Sequence, residues 1–255
     1  MKLRVLGCDG GRGLGCFSTS LLFNDHIMVD AGTIQSELTE DEALAVSDIF
    51  LTHAHFDHIM DLPFLFSITF GRRKAPLRIH ATKYTLDALE KYVFNDVVWP
   101  NFARLPNEND PQFTLHEIKA GETYEVDGLR FTPIDVDHQI PTVGFKVADD
   151  KSSIVFSGDT GPCDAISQVA NAAENLKAVI MDLSFVKKDK VVARLSGHMI
   201  AEDVVAEIEK IKQPCDIYVF HFKMGMIEAL EADVATLSYF GKPVKALRNY
   251  KVLEF

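Results

Sequence analysis

Five apolar segments of this chain run directly into a histidine or an aspartate, and that recurrence constrains the fold more than any average property does. The densest case is "SDIFL", which leads into "THAHFDH" and places His53, His55, Asp57 and His58 within six residues. The others are His138 after "FTPIDVD", Asp159 after "SIVFSG", Asp182 after "AVIM" and His221 after "IYVF". Imidazole and carboxylate are costly to bury uncompensated, and α/β proteins gather their sites at the C-terminal ends of strands. One such residue is ordinarily a cap or a turn, whereas five at one topological position point to a shared site. In a loop leaving a strand alternate residues converge, so His53 and His55 can share one ion and Asp57 with His58 a second. Imidazole plus carboxylate suits zinc, iron or manganese better than calcium. His26, His80 and His116 lack this placement and read as structural.

The intervening segments predict the rest of the architecture. "KLRVL" opens a strand, a glycine-rich loop follows, and "SLLF" and "HIMVD" flank the two-residue turn Asn24-Asp25. "DLPFLFSITF" and "KYTLDALEKYVF" read as helices, with Leu86, Leu89 and Val93 on one face of the latter. The middle is strand-rich, with a second hairpin signal at Asp127-Gly128. The last third alternates strand and helix, with helices expected over "AEDVVAEIEKI" and "MIEALEADVATLSYF". Strands in two runs, each followed by helices, predict an α/β fold, an αββα sandwich of two mixed sheets. No repeat or linker composition divides residues 1–255, so one domain is expected, with "LPNENDPQ" as a surface loop. "GCDGGRGLGCFSTS" is not a phosphate-binding loop, since it lacks GK[ST] and leads into a strand. It reads as a glycine loop lining the cleft, with Arg12 either solvated or touching substrate. Phe94, Trp99 and Phe102 are expected in the core, with base stacking or dimer contact as the alternatives.

Charge narrows the partners. A net charge of -11 argues against long nucleic acid, which is held through basic surface, while leaving room for a small anion if metal ions supply positive charge. The four cysteines, Cys8, Cys16, Cys163 and Cys215, form no CxxC pair and read as reduced thiols. With no signal-peptide pattern and no run of eighteen apolar residues, a cytoplasmic protein without membrane attachment is expected.

HxHxDH, a later single histidine, the aspartate of "GDT" and a late histidine after a strand together resemble the signature of the metallo-β-lactamase fold superfamily, over nearly the whole chain. The resemblance implies that His53, His55 and His138 hold one divalent ion, that Asp57, His58 and His221 hold a second, and that Asp159 bridges them. Zinc is the first expectation for both ions, with manganese or iron also compatible. Within the superfamily, "YVFNDVVWPNF", "SGDTGP", "DLSF…LSGHM" and "VFHFK" resemble segments of the class II 3′,5′-cyclic-nucleotide phosphodiesterases, which are related to the RNase Z branch. The chain departs from that pattern at Asp61, where Gly or Ser is usual, and at Asp182, which replaces Glu. Met199, Ile200 and Met224 depart as well.

That resemblance implies hydrolysis of cyclic AMP or cyclic GMP to the 5′-monophosphate through a hydroxide shared by the two ions. Asp57 would orient or deprotonate the nucleophile, and His198, supported by Asp182, would assist the leaving oxygen. A homodimer is a family-level expectation. The alternatives on the same site are an RNase Z-like nuclease, a lactonase or a thioesterase, and, from a different class, an iron redox protein.

Overall fold

The computed structural model describes residues 1–255. Two seven-stranded mixed sheets lie face to face. From edge to edge the first runs Val252–Glu254, Lys2–Gly7, Ser20–Phe23, Ile27–Val29, Asp48–Phe50, Leu77–Ala81 and Phe113–Glu117. The second runs Lys245–Ala246, Asp216–Phe220, Leu176–Asp182, Ser153–Phe156, Val143–Ala148, Leu129–Asp135 and Tyr124–Val126. In the first sheet the last four strands are parallel, and in the second so are the first four. Their C-terminal ends therefore share one edge, the side on which a site is expected.

Local chemistry explains the connections. Asn24 and Asp25 take φ values of 46° and 65°, and Asp127 and Gly128 take 45° and 77°. Two successive positive φ angles are what a type I′ hairpin turn demands, and Asn, Asp and Gly tolerate them best. The helix Lys83–Tyr92 starts at Thr82, whose hydroxyl accepts from Thr85 N, and buries Leu86 and Leu89. The helix Ala201–Ile208 buries Val204 and Ile208.

The core has three layers. Between the sheets Phe23, Phe50, Phe131, Phe145, Phe156 and Phe220 interdigitate, with Phe50 stacked on Phe131 at 4.1 Å. Truncating one such fully buried phenylalanine to alanine typically costs about 3–5 kcal/mol. Outside the first sheet pack Leu62–Thr69 and Lys83–Tyr92. Outside the second pack Asp164–Ala172, Ala201–Ile208 and Ile227–Val234.

Several elements differ from the sequence reading. The helix expected over "MIEALEADVATLSYF" ends at Val234, and Ser238–Tyr239 instead pairs with Lys242–Pro243 around a turn with positive φ at Phe240 and Gly241. "LPNENDPQ" carries a small exposed hairpin, Pro106–Asn107 with Asp110–Pro111. The six-residue helix Glu40–Ala45 was not evident because half of it is charged and it buries only Ala43. Its capping box, Thr39 with Glu42, is the signal that marks it. The closing strand Val252–Glu254 pairs antiparallel with the opening one, Lys2 opposite Glu254. All four cysteines are free. No helix is long and apolar enough to cross a membrane.

Candidate metal centre

The edge where the strands end gathers the residues singled out above. Ligand atoms of His53, His55 and His138 lie within 4.8 Å of one another, and so do those of Asp57, His58 and His221. Asp159 stands between the two groups, its Oδ2 at 3.8 Å from His53 Nε2, 3.2 Å from His58 Nε2 and 3.1 Å from His221 Nε2. Asp57 Oδ2 is 3.4 Å from His221 Nε2. The two trios are thus adjacent, with one carboxylate between them.

Four of the five rings are held from behind, while His55 Nδ1 meets His138 Nε2 at 3.1 Å within its own trio. His58 Nδ1 lies 2.7 Å from Asp30 Oδ2, and His53 Nδ1 lies 2.9 Å from Thr52 Oγ1. His221 Nδ1 meets Ser184 Oγ at 2.9 Å, and His138 Nδ1 donates to the Gly197 carbonyl at 2.9 Å. The atoms turned toward Asp159 are a different matter. His53 Nε2, His58 Nε2, His221 Nε2 and Asp159 Oδ1 are buried without any hydrogen-bond partner. Buried polar atoms left unmatched cost about 1–3 kcal/mol each, so four of them converging on one point need an additional partner. A divalent cation fits the donor set, and rear hydrogen bonds that fix the ring orientation are what metal-ligating histidines use.

The electrostatics agree with that requirement. Burial holds His53 well below its ordinary pKa, with the charge on His58 adding to the effect. Burial likewise pulls His221 down to about 4, so both rings are neutral and able to donate a lone pair. Burial also opposes the charge on His58, but Asp159 and Asp30 outweigh it and hold the ring protonated well above its ordinary value. An incoming cation would therefore displace a proton from His58. Burial disfavours ionised Asp57, yet the neighbouring His221 ring and the charge on His58 keep the carboxylate below the usual range.

Two residues of the site carry an uncommon backbone conformation. Asp30 and His221 adopt φ values of 60° and 73°, uncommon for residues with a side chain. Gly32 has no room for one: a Cβ there would come within 2.0 Å of the Asp57 carbonyl oxygen.

His198 sits between the two donor groups, its ring centroid 5.0 Å from those of both His138 and His221. Its Nδ1 is 2.8 Å from Asp182 Oδ2, so the shorter aspartate reaches although glutamate is the residue in the resembling family. Asp182 Oδ1 is fixed in turn by Ser184 Oγ at 3.0 Å and Met199 N at 3.2 Å. Burial works against the imidazolium of His198, but Asp182 outweighs it and the pKa is raised. The arrangement keeps a proton on a ring that flanks both trios.

Three positioning residues escaped the sequence reading: Asp30, Thr52 and Ser184. The signal for Asp30 was present, since it follows the strand Ile27–Val29 just as the others follow theirs. Asp61 also finds its place. Buried, it accepts from Ile34 N at 2.7 Å and Gln35 N at 3.2 Å and pairs with Arg12 of the glycine loop. Arg12 is thus held by a buried carboxylate while its own side chain stays partly in solvent. The structural reading of the other histidines holds, and each has a partner: His26 with Asp127, His80 with Asp48 and His116 with Thr114. Phe94 and Phe102 are core residues, while Trp99 is only partly buried.

An αββα sandwich with metal-ligand trios along one strand edge defines the class, and comparison with known proteins gives the family. Residues 26–222 match the Beta-lactamase superfamily domain, and the chain belongs to that superfamily. It is 28% identical over 206 residues to ribonuclease Z of Mycobacterium bovis (strain BCG / Pasteur 1173P2), covering 76% of this chain and 66% of that protein, just under two thirds of its length. It is 25% identical over 258 residues to the probable 3′,5′-cyclic-nucleotide phosphodiesterase of Yersinia pestis, covering 82% of this chain and 71% of that one. The metallo-β-lactamase fold protein YhfI from Bacillus subtilis superposes with a TM-score of 0.77 at 18% identity, covering 99% of each chain, a likeness of fold. Both branches indicated by the motifs are represented among the relatives.

Proposed function

We propose that this chain is a metal-dependent hydrolase that opens a phosphodiester, with a 3′,5′-cyclic nucleotide as its substrate and a 5′-monophosphate as product. The observation that carries the reading is the His198–Asp182 pair, 2.8 Å apart, beside two trios of metal-ligand type. A hydrolase acting on a thioester has little use for a dedicated proton donor, because its thiolate leaving group departs readily. An alkoxide leaving from phosphorus needs one.

In this proposal His53, His55 and His138 hold one divalent cation, Asp57, His58 and His221 hold another, and Asp159 serves both. Such ions, when bound, neutralise the phosphodiester charge and make a water nucleophilic at neutral pH. The remaining work falls to the protein. Asp57, kept ionised, orients the attacking water. His198 presents its proton at Nε2 to the departing oxygen while Nδ1 stays on Asp182. Asp30, Thr52, Ser184 and the Gly197 carbonyl prevent the rings from turning.

A second reading rests on the relatives named ribonuclease Z, from several mycobacteria. The same donor set and the same acid would serve an RNA phosphodiester. The exclusion of long nucleic acid drawn from net charge therefore gives way to experiment. Turnover of cyclic AMP, cyclic GMP, bis-p-nitrophenyl phosphate, a 3′-extended transfer RNA and a simple lactone by one preparation separates the readings. Lactone hydrolysis without any phosphodiester cleavage would sink the proposal. RNA cleavage without cyclic-nucleotide turnover would replace its first form by the second.

A further inference from the structure

Beside the metal centre lies a cavity of about 400 Å³ of a different character, with ten of its eleven lining residues hydrophobic. Its walls include Ala54, Phe56, Phe64, Ala88, Tyr92 and Trp99. Ala54 and Phe56 alternate along the chain with His53, His55 and Asp57, so one short segment serves both the cleft and the cavity. Phe56, Phe64 and Tyr92 are exposed although aromatic, an expensive arrangement for a surface with no ligand to cover. Trp99 packs edge-on against Phe64 at 5.2 Å, and its Nε1, buried, has no hydrogen-bond partner.

We infer that this cavity receives the heteroaromatic base of a nucleotide whose phosphate lies in the metal cleft. The inference rests on the phosphodiester reading and adds the part of the substrate that the metal centre does not touch. The volume falls in the range of small-molecule pockets. The lining excludes a second phosphate or a sugar, which would lose hydrogen bonds there, and favours a flat ring held between aromatic walls. Continuity through residues 53–57 ties the occupant to the group held at the cleft.

Trp99 is the one tryptophan of the chain, so its emission reports on this cavity alone. Zinc-loaded protein is titrated with adenosine 5′-monophosphate and, separately, with ribose 5-phosphate, which has the phosphate and sugar but no base. Saturable change in emission with the first, and affinity weaker by on the order of tenfold or more for the second, is expected from loss of base stacking. Ala88→Phe fills the cavity from the helix Lys83–Tyr92 without touching a ligand residue, and should weaken adenosine 5′-monophosphate by a similar factor while leaving ribose 5-phosphate where it was. Phe64→Ala, which removes a wall, gives a second measurement should Ala88→Phe not fold. Equal affinity for the two probes, or no response of Trp99 to either, overturns the inference. So does a dimer that buries Trp99 in solution and is dissociated by Ala88→Phe. Hydrolysis of bis-p-nitrophenyl phosphate is followed in parallel. If it proceeds while the base makes no difference, the cavity assignment fails and the phosphodiesterase reading stands. If base-dependent binding is found without any phosphodiester turnover, the reverse holds.

Discussion

Two clusters of buried histidine and aspartate occupy this molecule, and they differ in one respect that separates chemistry from architecture. In the first sheet Asp48 is fully buried, yet every demand it makes is met. Arg78 reaches it with Nε at 2.6 Å and Nη2 at 2.7 Å, His80 Nε2 at 2.7 Å and Ser47 Oγ at 2.7 Å. His80 stacks on Phe50 at 4.3 Å, and His116 beside it finds Thr114. At the strand ends the outer nitrogens of His53, His58 and His221 are satisfied in the same manner, but their inner nitrogens are not. Unmatched ring nitrogens of His53, His58 and His221 gather around Asp159, whose Oδ1 is itself unpaired. Counting imidazoles does not distinguish the two clusters; asking where each hydrogen bond goes does.

That contrast can be broken by experiment. The largest effect is expected from Asp159→Ala, which removes the carboxylate shared by both trios. Elemental analysis should find the purified variant depleted of metal, with no phosphodiester turnover above background, and full metal occupancy would contradict the role given to it. His198→Ala comes next: kcat should fall by about 10²–10⁴-fold with metal content unchanged. Unchanged turnover of a phosphodiester would remove His198 from the proposal.

Asp30→Asn is milder, because it loosens His58 from behind without deleting a donor. A loss of about 10–100-fold in metal affinity is expected by competition with a chelator. Asp48→Asn tests the other cluster. It should lower unfolding stability by about 2 kcal/mol, less than for a fully buried pair because Arg78 is partly exposed, and leave metal content alone. Metal loss on that substitution would show that the two clusters are not independent.

The pH dependence follows from the same carboxylate. Burial disfavours the charge on Asp48, but His80 and Arg78 outweigh it and hold its pKa below the ordinary value. A depressed pKa gives stability that is present above the unfolded carboxylate range, near 4 or roughly so, and is lost as pH falls through the folded value. Denaturant titrations from pH 6 downward should show this decline in the parent chain and a shallower one in Asp48→Asn. Smallest of all, metal uptake should release a proton from His58, read as a buffer-dependent heat in calorimetry.

How much was legible beforehand depended on whether the signal was local. The strand–histidine and strand–aspartate junctions are adjacent in sequence, so the site residues and the αββα sandwich could be read from alternation and position. The two Asx hairpin turns were legible for the same reason. Asp61 was opaque because its partners, Arg12 and the Ile34–Gln35 amides, lie far from it in the chain. Asp30 had the correct placement, but nothing in the sequence says that its carboxylate lies 2.7 Å from His58. The closing strand Val252–Glu254 needed knowledge of a partner at the opposite end of the chain.

The sequence by itself determined the donor types, their order and their position at strand ends, because those depend on residue identity and on periodicity two. Only the tertiary structure decided which donors meet and which atoms are left unpaired. It also decided that an apolar cavity stands against the histidine-rich segment, and that Asp182 rather than a longer carboxylate suffices for His198. Those outcomes depend on distances between residues up to 168 positions apart, as from His53 to His221, which two packed sheets fix and no local pattern encodes.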